Sequence, residues 1–174
     1  FLVVETRAVE AILPPGLFKQ RVVWTAAASS TIMSVAMFGT LLFIPLFIQS
    51  VIGKSASSSG AVLTPMMFAV IGASIISGQL ITRFGRYQAL AVFGVVVTAG
   101  GLFLLAQMNV ATTYATVLRN MLIVGVGIGA TLPVFTIATQ NAVAVGQAGI
   151  ATSTIQFMRS MGGSIGAAAF GALL

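Results

Sequence analysis

Only two charged side chains fall well inside the long apolar runs of this sequence, and both are arginines: Arg119 and Arg159. Arg159 comes about nine residues into the run that begins near Ile150, which on a helix places it roughly 14 Å deep. At the centre of a bilayer a guanidinium costs roughly 2.5–3.5 kcal/mol even on permissive insertion scales. It is therefore expected to face a water-filled cavity or a partner helix rather than lipid. Thr152, Gln156, Arg159, Ser160 and Gly163 recur at three- and four-residue spacing and form one polar stripe, while Ile155, Met158, Met161 and Ile165 occupy a separate apolar arc. Such a stripe either hydrogen-bonds a neighbouring helix or walls an aqueous pathway. The charge favours the pathway, because polar links buried between membrane helices are commonly neutral. Arg119 lies about five residues, or roughly 8 Å, into its run. Its long side chain either snorkels to the outer headgroups or joins the same cavity. Arg159, Gln156, Thr152, Ser160 and Arg119 are thus the candidate substrate-cavity residues. Their chemistry is attraction and orientation of a solute, not bond making.

Covalent chemistry has little to work with. Cysteine and histidine are absent, and Glu5 and Glu10 are the only acids. Disulfides, thiol catalysis and the usual zinc sites are excluded. No nucleophile–base pair, metal-ligand cluster or glycine-rich phosphate loop is visible, so neither an enzyme nor a bound cofactor or metal is expected. No acid lies within any apolar run, although proton-coupled transport usually needs a group that changes protonation inside the membrane. A coupling acid, if there is one, is expected outside this chain.

The elements that hold these residues follow from composition. Of 174 residues, 58% are hydrophobic and 6% charged, against about 25% charged in soluble proteins. This is a membrane composition, with the lipid bilayer as solvent and a multi-pass place in the cell membrane. The net charge of +6 comes from Lys and Arg scattered singly or in pairs, not from the clustered basic face that nucleic acid requires. Five runs reach the roughly 20 residues needed to cross a bilayer: about 25–49, 61–81, 89–107, 114–139 and 150–174. Short joints make neighbours antiparallel, giving an all-α membrane bundle of five helices. A β-barrel is excluded because Leu41-Leu42-Phe43-Ile44-Pro45-Leu46-Phe47-Ile48 does not alternate. Arg7, Lys19, Arg21, Arg83 and Arg86 fall in joints on one side, and Lys54, with Arg119 near a span end, on the other. The positive-inside rule makes the first side cytoplasmic. Residues 1–24 read as the end of a preceding span and a cytoplasmic connector broken by Pro14-Pro15. Apolar residues at both ends, Phe1-Leu2-Val3-Val4 and Gly171-Ala172-Leu173-Leu174, suggest an internal piece of a longer membrane protein.

Small residues and prolines supply the packing signals. Gly125 with Gly129, and Gly162 with Gly166, have the spacing that lets membrane helices approach closely, and Gly163 adds to the second set. Pro45, Pro65 and Pro133 lie within spans and are expected to kink them. Nothing selects Met33, Phe38, Phe43 or Phe47 as an aromatic site.

The turn Gly78-Gln79-Leu80-Ile81-Thr82-Arg83-Phe84-Gly85-Arg86-Tyr87-Gln88-Ala89-Leu90 resembles the G-x-L-A-D-R-x-G-R-[KR]-x-x-L signature of the major facilitator superfamily. Gly78, Leu80, Arg83, Gly85, Arg86 and Leu90 match. Thr82 replaces the acid and Tyr87 a basic residue, as in the degenerate copy in the second half of such transporters. The stretch from Ala11 to Arg21 resembles the connector into the C-terminal half of the fourteen-span drug:proton antiporters. Gly146 to Gly166 resembles their penultimate span. The resemblance covers nearly the whole chain and implies the first five helices of a C-terminal half, the first, second, fourth and fifth lining a central cavity. It implies efflux by alternating access, with hydrophobic or cationic small molecules exchanged for protons. In that scheme Gly78, Leu80, Arg83, Gly85 and Arg86 form a conformational-gating turn. The competing expectation is a membrane scaffold or receptor bundle that moves no solute, its stripe serving only to pack helices.

Overall fold

The computed structural model describes residues 20–85 and 87–172. The connector before Gln20, Arg86 and the last two residues of the expected fifth span lie outside the described residues. Helix α1 runs Arg21–Ser50, α2 Ala56–Ala61, α3 Leu63–Phe84, α4 Tyr87–Ala106, α5 Tyr114–Ala142 and α6 Ala148–Gly171. A single 3₁₀ turn, Val145–Gln147, leads into α6. Among the described residues there is no strand.

Local chemistry sets several of these boundaries. Ser55 caps α2, its Oγ accepting from the Ser58 N–H at 3.3 Å, and Thr113 caps α5 by accepting from the Thr116 N–H at 3.4 Å. Helix α3 stops at Gly85, whose φ of 66° is left-handed and whose N–H donates to the Ile81 carbonyl at 2.8 Å. Only glycine takes that conformation without a penalty. Pro45 and Pro133 are interior to α1 and α5. Pro65 is different: it falls in the first turn of α3, where an N–H has no helical partner to lose. Within the Ala56–Phe84 segment it marks the break at Val62 between α2 and α3. It has no N–H to offer the Ala61 carbonyl, which would be its partner in a continuous helix. The expected joint 50–60 is therefore shorter than the sequence suggests.

Four segments, Arg21–Ser50, Ala56–Phe84, Tyr87–Ala106 and Tyr114–Ala142, are long and apolar enough to cross a membrane. Helix α6 has 24 residues, also long enough to span. It falls outside that group in apolarity, because Thr152, Ser153, Thr154, Gln156, Arg159, Ser160 and Ser164 interrupt it.

Helix α5 is the centre. It packs on α3 and α4 along most of its length and touches α1 and α6, which pair with each other. Two apolar clusters form around it. One joins Ile44, Ile48, Met66, Met121, Val124 and Ile128, and the other joins Ala26, Ala27, Ile81, Val134, Phe135 and Ile155. Lipid tails are as apolar as these side chains, so close backbone packing, not water exclusion, must drive the helices together. Glycines provide it. A Cβ on Gly125 would stand 2.7 Å from the Met66 carbonyl oxygen, and one on Gly129 would strike the backbone of Val70. On the far side of α5, Gly127 lies against Gly94 and Thr98 of α4. Buried Ser77 of α3 donates to the Ala130 carbonyl at 2.8 Å and ties the same seam.

Candidate functional site

Helix α6 meets α1 through its small residues. A Cβ at Gly162 would come within 2.5 Å of the Thr31 carbonyl oxygen, and one at Gly166 within 3.0 Å of Val35 Cα. Gly163 sits instead against the Phe38 ring. Thr31 Oγ1 donates across the seam to the Met158 carbonyl at 3.2 Å. This docking fixes the rotation of α6 and divides the expected apolar arc. Ile155 is buried, whereas Met161 and Ile165 are exposed beside Ser160. The face that packs is the small-residue face. The bulky residues are left outside because a backbone can approach a glycine more closely than an isoleucine.

The same rotation distributes the polar stripe over three environments. Thr152 turns to α5, its Oγ1 accepting from Gln140 Nε2 at 2.8 Å while donating to the Ala148 carbonyl. Arg159 is half-buried in the crease of α1 and α5, about eleven residues or roughly 17 Å from the start of α6. The residue lines a small, mostly apolar cavity with Ser30, Ser34, Ile128, Thr131 and Phe135. Nη1 donates to Gln156 Oε1 at 3.0 Å. Gln156 and Ser160 are exposed on the open side of α6. Arg159 thus touches both the helix crease and the outer face.

Arg119 is not part of this arrangement. It is exposed near the start of α5, and its Nε and Nη2 donate to Asn120 Oδ1 at 3.3 and 3.2 Å. Asn120, only 2% exposed, donates in turn to the Leu104 carbonyl of α4 at 3.3 Å. About twelve residues of α5, roughly 18 Å, separate Arg119 from the Thr131 level where Arg159 sits. The structure therefore separates the two arginines that the sequence reading grouped. Asn120, Gln140 and Ser30 went unnoticed in the sequence, because a single polar residue in an apolar run does not reveal its partner.

Of the expected gating turn, Leu80 lies near the end of α3 and lines a groove with Leu90 and Phe93 of α4 and Ala130 of α5. Gly78 has open space around it. Arg83 is exposed, its guanidinium 5.8 Å from the centroid of the Phe84 ring. Gly85 supplies the left-handed cap, and Arg86 lies outside the described residues.

A larger groove of about 500 Å³ runs beside α1, lined by Gly39, Phe43, Phe47, Leu105 and Phe170. Phe43 and Phe170 meet edge to face at 5.4 Å. Its one side-chain hydroxyl, on Thr40, donates to the Ala36 carbonyl at 2.9 Å, so the side chains lining it offer no free donor to orient a ligand.

Comparison with known proteins adds to this geometry. The family model described as Major Facilitator Superfamily matches residues 5–167. The full chain is 39% identical to "Multidrug transporter protein MdtP" of Bacillus subtilis (strain 168), of which it covers 32%. Over 97% of its length it is 36% identical to "Tetracycline resistance determinant" of Streptomyces rimosus, covering 49% of that protein. It is 33% identical to "Multidrug resistance protein 3" of Bacillus subtilis (strain 168), with 98% of this chain and 33% of the relative aligned. The chain spans about a third to about half of the length of these relatives.

Proposed function

The chain belongs to the major facilitator superfamily and is part of a multi-pass protein of the cell membrane, and from that premise we propose that it serves in efflux of small hydrophobic or cationic molecules by alternating access. Relatives named for multidrug transport and tetracycline resistance support that direction. The observation that carries it is Arg159, held halfway along α6 in the crease of α1 and α5, with Gln156 and Ser160 beside it on an exposed face. A guanidinium at that depth needs water or a polar partner, and a solute pathway supplies both. Thr152 and Gln140 brace the start of α6 against α5.

Rocking of one helical half against another around a midplane site is the general mechanism of such folds. The small-residue seams leave backbone surfaces smooth enough to shift. The Arg83 turn stands at the end of α3, where a cation is favoured by the helix dipole, and its role is to hold one conformation. Proton exchange drives the cycle in this reading, with the titrating acid in the part of the protein outside this chain. The test is efflux of a fluorescent cationic dye by the complete protein in inside-out vesicles. Dye accumulation that follows an imposed proton gradient supports the reading, and accumulation indifferent to the gradient and to Arg159→Ala removes it.

A further inference from the structure

Only residues 85–86 separate α3 from α4, yet beyond that turn the two backbones scarcely approach each other, because each packs along α5 instead. The gap between them is a groove of about 310 Å³. Ile76 and Leu80 of α3 and Leu90 and Phe93 of α4 form its walls, and Val126 and Ala130 of α5 its floor. It stays open because small residues, Ala69 and Gly72 among them, line the α3 side, and nothing lies within 4 Å of a Cβ placed on Gly72. Ile76 and Phe93 are more than half exposed. In a bilayer this surface meets hydrocarbon, and an unfilled gap would forfeit its dispersion contacts.

Size, polarity and charge define what fills it. From Leu80 to Ala69 the groove follows eleven residues of α3, roughly 16 Å, close to one leaflet of a ~30 Å hydrocarbon core. A helix 10–12 Å across would take several times the groove's volume over that length, whereas a single hydrocarbon chain is slender enough. The one side-chain hydroxyl, Ser77 Oγ, donates to the Ala130 carbonyl, so the walls suit an apolar occupant. A charge stands at the Leu80 end. Arg83 follows Leu80 by three residues, on the same flank of α3 and roughly 4.5 Å nearer the helix end. Its side chain is exposed, and no Asp or Glu occurs anywhere from residue 11 to residue 174 to neutralise it.

We propose that the groove between α3 and α4 binds an anionic phospholipid, one acyl chain lying beside residues 69–80 and the phosphate accepting from Arg83. The leaflet is the one that Arg83 faces, cytoplasmic by the positive-inside rule, and it is the leaflet whose surface is negative. A guanidinium presents paired N–H donors that match phosphate oxygens. The lipid completes a face of the bundle that helix packing leaves open. The inference does not depend on export, since its readout is lipid binding rather than flux.

The test uses the complete protein in detergent, incubated with dioleoyl phosphatidylglycerol or dioleoyl phosphatidylcholine carrying a photoreactive group in one chain. After illumination, peptide mapping of the wild type should place the phosphatidylglycerol label in residues 69–80 and 90–93, with less label from phosphatidylcholine. Arg83→Gln should raise the phosphatidylglycerol concentration for half-maximal label about fivefold, the contribution of one basic residue near an anionic surface. Gly72→Leu, whose side chain enters the open groove, should remove the label from those residues, and Gly72→Ala should reduce it if the leucine variant does not fold. Gly100→Leu, equally open but outside the groove, should leave it unchanged. Excess glycerol 3-phosphate should not displace the lipid, and displacement by it overturns the lipid assignment in favour of free phosphate. No label in those residues of the wild type overturns the proposal, whether a helix from elsewhere in the protein or nothing fills the groove. Equal labelling by the two lipids, unchanged in Arg83→Gln, overturns it too by reducing the groove to general lipid contact.

Discussion

Arg159 Nη1 donates to Gln156 Oε1 at 3.0 Å, three residues back on the same helix. The amide carbonyl holds the guanidinium along α6, while Nη2 is buried with no hydrogen-bond partner among the described residues. One arginine therefore has a solvent-side donor and a buried donor, and the two ends are open to separate tests.

Arg159→Ala should abolish or redirect transport by the complete protein while expression is kept. Arg159→Lys, which retains charge but not the planar fork, should recover only part of it. Dye efflux normalised to membrane protein is the measurement, and wild-type efflux by the alanine variant removes Arg159 from the pathway.

Gly162→Ala should destabilise the bundle by about 1–3 kcal/mol, the usual range for overpacking, because the new Cβ would meet the Thr31 backbone. Gly72→Ala and Gly100→Ala are the controls, since nothing lies within 4 Å of a Cβ at either position. Melting in detergent should separate Gly162→Ala from both.

Gln140 and Thr152 should prove energetically coupled. A double-mutant cycle with Gln140→Ala and Thr152→Val should return about 0.6 kcal/mol, and at most about 1.7, the range found for inter-helix hydrogen bonds in membranes. Additive single effects would mean that the 2.8 Å bond contributes nothing to holding α6 on α5.

Arg83→Glu should slow transport with little change in substrate binding, because the exposed guanidinium acts at the helix end and away from the Arg159 crease. Gly85→Ala should instead destabilise by about 1–2 kcal/mol, the penalty of a left-handed alanine. Efflux rate and equilibrium dye binding are compared in each variant. Equal loss of rate and binding in Arg83→Glu ends the gating assignment.

Much of this molecule is already legible in the residue pattern. Charge scarcity and apolar runs require membrane helices, since no aqueous surface could be made from 6% charged residues. The depth of Arg159 along its run also shows that it needs a polar neighbour, because depth is residue number times helical rise. Periodicity says which residues share a face, but not what the face meets. Gly162 and Gly166 against α1, Gly125 and Gly129 against α3, and the burial of Ile155 while Ile165 is exposed were settled by packing. So were the separation of Arg119 from Arg159 and the placing of Ser30 and Arg159, 129 residues apart in the chain, on one small cavity. A helix rotates as a unit, and its final angle depends on which small residues let a neighbour closest. That choice belongs to pairs of helices, and a single run of sequence does not contain it.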